Sequence, residues 1–190
     1  MRFTLAAEKN NNLDSLQRKF SRKMFGAVKE IVLLRDPRDL YCSRLSYFKN
    51  INPRVTLQEV RWACTQLRKI RQEAASDTIF VKYEDIVLGN TDEIRRLSDF
   101  LGFDLYSVDT SQEQASRFVE HATSGSPAAS VGRWREQLSE AEIRAFDENG
   151  AEFFRLFGYE KSTAPGGHHA SGHHDDGAPY RLPAAEPIDK

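Results

Sequence analysis

IVLLRDPRDLYCSRLS, residues 31–46, passes from four consecutive aliphatic side chains to a charged turn and then to a helix-compatible run. The aliphatic run, opened by Lys29-Glu30, has the near-continuous apolarity of a short parallel strand covered on both faces. Asp36 can cap, and Pro37 can start, a helix reaching to about residue 48, because a capping carboxylate accepts orphan N–H groups and proline has no N–H to lose. The junction is therefore strand, tight turn, helix. Ligands in open α/β sheets lie at the carboxyl ends of strands, which is where Arg35 stands. Ser43 falls about 9 Å along the helix axis at ~1.5 Å per residue, within reach of a ligand shared with the long arm of Arg35. A guanidinium fork plus a hydroxyl suits a phosphate monoester. The Asp36 carboxylate occupies the positive pole of the helix, so a phosphate is expected beside the helix and not on its end. Taken alone, the same residues also read as a capped helix start with surface ion pairs.

Outward from this stretch, strands and helices alternate. Residues 13–24 form a basic helix with Leu13, Leu16, Phe20 and Met24 at helical spacing, stopped by Gly26. Asn52-Pro53 breaks the chain, and Thr56 with Glu59 has capping-box spacing ahead of the stripe Leu57, Val60, Cys64, Leu67 and Ile70 or Arg71. A second buried strand, Thr78-Ile79-Phe80-Val81, leads into Lys82-Tyr83-Glu84-Asp85. Asn90 caps a helix over residues 90–101 that Gly102 stops. Ser139 opens the last helix, which carries Ile143, Phe146, Phe153 and Phe157 on one face, with Gly150 in its middle arguing against one unbroken element. This alternation predicts an α/β fold of three layers, a mainly parallel sheet flanked by helices.

The 190 residues, 39% hydrophobic and 29% charged, suffice for one core. It is assigned to residues 1–160. Residues 161–190, rich in Ala, Pro, Gly, His and Asp without apolar period, read as a disordered tail. A net charge of −1 and a pI near 6.5 give no reason to expect a nucleic acid or an anionic membrane as partner, so any anion site must be local. No run reaches the ~18 apolar residues of a membrane span. Cys42 and Cys64, both within helical segments, read as buried thiols, and the expectation is a soluble, cytoplasmic protein. His121 reads as a loop-packing residue, with contact to a bound ligand as the alternative. His168, His169, His173 and His174 with Asp175 and Asp176 would bind a transition metal only weakly, and no metal site is assigned.

Three segments carry a family resemblance. IVLLRDPRDLYCSRLSYF resembles the 3′-phosphate-binding motif of the sulfotransferase family, whose strand-end Arg and the Ser eight positions later hold the 3′-phosphate of 3′-phosphoadenosine 5′-phosphosulfate; Arg35 and Ser43 match. Phe80-Val81-Lys82-Tyr83-Glu84-Asp85 resembles the family's strand ending in Tyr-Glu-Asp, whose Tyr lies against the adenine, and Tyr83 matches it. On its own, Tyr83 would read as a half-buried strand-end tyrosine. Residues 124–135 are similar to the family's late loop, which in bacterial-type members reads Gly-Arg-Trp followed by Arg or Lys; here it is Gly132-Arg133-Trp134-Arg135. The resemblance implies that Gly132 and Arg133 face a phosphate, by backbone N–H and by charge. The more basic Arg-Lys-Gly version of the family's animal cytosolic members is absent from this loop.

The resemblance implies a P-loop-like sulfotransferase fold and in-line transfer of a sulfuryl group to an acceptor hydroxyl or amine, on a small molecule, carbohydrate or lipid, without a metal. No Pro-x-Ser-Gly-Thr-Thr loop of the kind that grips the 5′-phosphosulfate precedes Arg35, so the domain reads as N-terminally truncated. Lys9, in Glu8-Lys9-Asn10, stands where many members carry a site-lining lysine and is the candidate for stabilising charge, against the plainer reading of a solvated lysine. The general base is expected outside this sequence. The alternative is an inactive module that binds adenosine 3′,5′-bisphosphate, or a structural remnant.

Overall fold

The computed structural model describes residues 13, 15–25, 28–48, 52–107 and 124–162. In chain order these form α1 (Ser15–Phe25), β1 (Glu30–Leu34), α2 (Pro37–Tyr47), α3 (Pro53–Glu73), β2 (Thr78–Lys82), α4 (Tyr83–Val87), α5 (Thr91–Leu101), 3-10 turns at Leu105–Ser107 and Ala128–Ser130, α6 (Trp134–Gln137), α7 (Glu140–Asn149) and α8 (Ala151–Phe157). Among the described residues the sheet consists of β1 and β2, paired in parallel from Glu30 with Thr78 to Leu34 with Lys82. That register sets the carboxyl ends of the two strands side by side.

The helix starts follow from the caps. Asp36 Oδ1 accepts the Arg38 N–H at 2.9 Å with Pro37 as first helical residue. The Asn52-Pro53 pair does the same for α3, since Asn52 Oδ1 accepts the Arg54 N–H at 2.9 Å. The helix therefore begins before the capping box expected at Thr56. Thr56 is instead fully buried within it, its hydroxyl bonded back to Asn52 O. Asn90 caps α5 as expected, and Ser139 with Glu142 forms a complete capping box at α7. Gly150 separates α7 from α8, where a Cβ would meet Phe146 O at 2.6 Å and the Phe154 ring at 3.0 Å.

Two apolar clusters hold the elements together. Val32 and Leu34 of β1 pack with Leu67 and Ile70 of α3 and with Phe153, Phe154 and Phe157 of α8. Tyr41, Leu57, Val60 and Phe146 join α2, α3 and α7. Because α3 contributes to both, its stripe of Leu57, Val60, Leu67 and Ile70 fixes where α2 lies relative to the sheet.

Two expectations are corrected. β1 is not covered on both faces by the described residues: Val32 and Leu34 are buried, whereas Ile31 and Leu33 are 45% and 58% exposed. Their register partners on β2, Ile79 and Val81, are buried. In α1 the apolar stripe turns outward, with Leu16, Phe20 and Met24 exposed, while Arg18 and Arg22 face the protein. Arg18 forks onto Glu30 at 2.5 and 2.6 Å, and Arg22 reaches Asp77 at 2.6 Å and Thr78 at 2.7 Å. Of the expected stripe only Leu13, ahead of the helix, packs against the sheet cluster, and ion pairs at the start of the sheet seat the helix itself. At the other end of the chain the Ser162 N–H donates to Asp147 Oδ2 at 3.0 Å, and residues 163–190 of the expected tail lie outside the described residues. No helix among the described residues is long and apolar enough to cross a membrane.

Candidate functional site

Arg35 follows the last residue of β1, and Tyr83 follows the last residue of β2. Since Leu34 and Lys82 are register partners, the two side chains emerge as neighbours. The Arg35 guanidinium carbon lies 4.7 Å from the centre of the Tyr83 ring, close enough for the ring quadrupole to attract the cation. The late loop closes over this pair. Arg35 Nη2 donates to Ser130 O at 3.2 Å, and the Tyr83 hydroxyl lies 3.2 Å from Ser130 Oγ and 3.4 Å from Pro127 O. Arg35 Nε is buried with no acceptor among the described residues.

The same loop brings in Gly132 and Arg133. Gly132 adopts φ +75°, a left-handed conformation that favours glycine, and a Cβ there would displace only the end of the Arg135 side chain. Its N–H, which the resemblance assigns to a phosphate, donates to Asp39 Oδ2 at 2.6 Å; the Trp134 N–H donates to Asp39 Oδ1 at 3.1 Å. Arg133, only 8% exposed, has Cys42, Arg35, Asp39 and Tyr83 as its electrostatic neighbours. Burial pulls its guanidinium below the ordinary value, and the Arg35 cation acts in the same direction. Arginine keeps its proton regardless, so Arg133 brings a buried positive charge to the loop that Ser130 joins to Arg35. Burial raises the Asp39 carboxyl above its ordinary range, opposed by the two N–H bonds it accepts. Burial likewise pushes the Cys42 thiol up to about 11 although Arg133 pulls it down, which makes Cys42 a packed thiol and not a nucleophile.

Ser43 is half-buried on α2, four residues beyond Asp39. Residues at that spacing lie one above the other on a helix, so Ser43 shares the α2 face that Asp39 turns toward Gly132 and Trp134. The structure thus brings Arg35, Tyr83, Gly132 and Arg133 together and sets Ser43 on the adjoining helix face. Lys9 and His121 lie outside the described residues. No group of three or more His, Cys, Asp or Glu placed to hold a metal occurs among the described residues.

The two arginines of the Arg-Asp-Pro-Arg turn have opposite fates. Arg38 is 2% exposed, stacked between Trp134 at 3.8 Å and Phe154 at 4.7 Å. It is bound to Asp36 at 2.7 Å, Asp147 at 3.3 Å and Glu160 O at 2.9 Å. The reading of this turn as surface ion pairs fails for Arg38, which is a core residue. Glu84 was also unassigned from sequence; its carboxylate accepts the Asp36 N–H at 2.8 Å and the Tyr159 hydroxyl at 3.0 Å. The signal for Asp39 was its place one helical turn before Ser43, and that for Glu84 was the Tyr-Glu-Asp triplet. Ser130 carried none.

Asp36, Asp39 and Glu84 together put negative charge around the N-terminal end of α2. An anion near Arg35 is thereby excluded from the helix end and left the space beside it. An open hollow bordered by Arg95, Ser98 and Tyr106 lies at the far end of the sheet, where Lys29 Nζ donates to Phe100 O at 2.6 Å. Comparison with curated proteins and with solved structures gives no match. The family model described as the sulfotransferase domain matches residues 10–158, a span that includes Arg35, Ser43, Tyr83, Gly132 and Arg133. A match of that extent, over strand ends and loop alike, shows that the chain belongs to the sulfotransferase domain family.

Proposed function

We propose that the chain binds 3′-phosphoadenosine 5′-phosphosulfate at the carboxyl ends of β1 and β2 and serves transfer of its sulfuryl group to an acceptor hydroxyl or amine. Family membership supplies the α/β, P-loop-like class and suggests sulfuryl transfer. The two parallel strands are read as part of a three-layer sheet. The observation that carries the donor assignment is the meeting of Arg35 and Tyr83 at the paired strand ends under the loop that carries Arg133, with Ser130 bonded to both. The buried Arg35 Nε, without an acceptor among the described residues, is the kind of donor a ligand oxygen satisfies.

Arg35 and Ser43 would hold the 3′-phosphate, the first by a charged fork and the second by a neutral hydroxyl. Tyr83 would stack the adenine, and Arg133 would add charge to the phosphate side. Gly132 acts here through its left-handed turn, which delivers Arg133, since its N–H is bonded to Asp39. When bound, the donor supplies the electrophilic sulfuryl group.

Calorimetric titration with adenosine 3′,5′-bisphosphate, compared with adenosine 5′-monophosphate, tests the reading. The bisphosphate is expected to bind more than ~10-fold tighter, because one charge-assisted contact to the extra phosphate contributes about 1.5–3 kcal/mol. Equal affinities, or no binding of either, would refute it.

A further inference from the structure

We propose that Asp39 is a positioning residue: its carboxylate, bonded to the N–H groups of Gly132 and Trp134, clasps the late loop to α2 and so fixes Arg133 in the loop that Arg35 meets at Ser130. The proposal rests on the nucleotide reading above for its ligand, and on contacts in the protein alone for its geometry.

Three observations carry it. Asp39 is 1% exposed, and both its oxygens are used, Oδ2 for Gly132 at 2.6 Å and Oδ1 for Trp134 at 3.1 Å. Those two N–H groups flank Arg133 in sequence, so the carboxylate grips the chain on either side of the cation. Asp39 also stands on the helix that carries Ser43, in the first turn after Arg35, so one short helix start links both halves of the candidate anion site. A buried carboxylate is costly unless its oxygens are bonded. With one loop supplying both donors, displacing that loop would leave the charge unsatisfied, which gives the clasp its stiffness.

The chain has two tryptophans, so Trp62→Phe leaves Trp134 as sole reporter of the loop. In that background, acrylamide quenching of ligand-free protein is expected to rise about twofold or more on Asp39→Asn, because a carboxamide offers only one acceptor oxygen to two N–H groups. Unchanged quenching in a folded variant overturns the proposal whether or not nucleotide binds. The second arm titrates adenosine 3′,5′-bisphosphate. Asp39→Asn is expected to weaken binding about 10-fold or more in the parent, yet by less than about 2-fold in an Arg133→Ala background, the non-additivity of residues that act through one another. Equal losses in both backgrounds would reduce Asp39 to general support of the fold and overturn the assignment. A parent that binds no nucleotide while its quenching responds refutes the ligand reading and upholds the placement of Arg133 by Asp39. Should Asp39→Asn fail to fold, Gly132→Ala strains the same clasp from the loop side and is held to the same two outcomes.

Discussion

Replacing Arg35 with alanine separates what the guanidinium does for a ligand from what it does for the fold. In the ligand-free protein it gains a bond to Ser130 O at 3.2 Å, about 0.5–1.5 kcal/mol. Its contact with the Tyr83 ring at 4.7 Å adds about 0.5–1 kcal/mol. Against these stand the buried Nε without an acceptor among the described residues, about 1–3 kcal/mol, and the nearby Arg133 cation. The terms nearly cancel. Arg35→Ala is therefore expected to change unfolding stability by less than about 1 kcal/mol, or about 2–4 °C in Tm for a chain of this size. Its effect on adenosine 3′,5′-bisphosphate is of another order, a loss of about 1.5–3 kcal/mol, roughly 10- to 150-fold in Kd. Calorimetric titration measures the second and a thermal melt the first. Arg35→Lys keeps the charge without the fork and should recover only part of the affinity. An alanine variant that binds like the parent, or one that melts more than about 10 °C lower, would show that Arg35 serves the fold and not a phosphate.

Phe154→Ala, at a fully buried ring between the sheet cluster and Arg38, should cost about 3–5 kcal/mol in urea unfolding; a loss under about 1 kcal/mol would mean that α8 is not packed as described. For pH, burial on its own would raise the Glu30 carboxyl, but its bonds and charge contacts with Arg18 and Arg22 outweigh burial and hold it below its ordinary value. A carboxyl depressed on folding contributes stability that is present above its unfolded pKa of about 4.3 and lost as pH falls through the lower folded one. The stability gap between the parent and Glu30→Gln should therefore be widest above about pH 5 and close on further acidification. A gap that does not vary with pH would argue against the pairing.

What could be read before any coordinates was whatever depends on neighbours in sequence. The turn at Asp36-Pro37, the cap at Asn90, the helix start at Ser139 and the break at Gly150 are each set within a few residues, and each appears as expected. The same locality misled at Thr56, where a good cap pattern lost to the Asn52-Pro53 pair upstream. Orientation was hidden. Nothing in residues 15–25 tells that Arg18 and Arg22 find carboxylates at Glu30 and Asp77 while Phe20 and Met24 turn outward. Within the candidate site, the strand-end positions of Arg35 and Tyr83 followed from local patterns. The carboxylate of Asp39 reaches the late loop across 93 residues, which no spacing rule registers.

Those long separations also govern when the site comes into being. Arg35 meets Ser130 across 95 residues and Arg38 meets Glu160 across 122. Closing such distances costs chain entropy before any contact repays it, so they belong to the slow, late part of folding. A nascent chain that has emerged only as far as Tyr83 already owns both strand-end residues but not the loop that bonds to them. An anion that needs Arg35 and Arg133 together would recognise only finished molecules, and its presence would shift the population toward them.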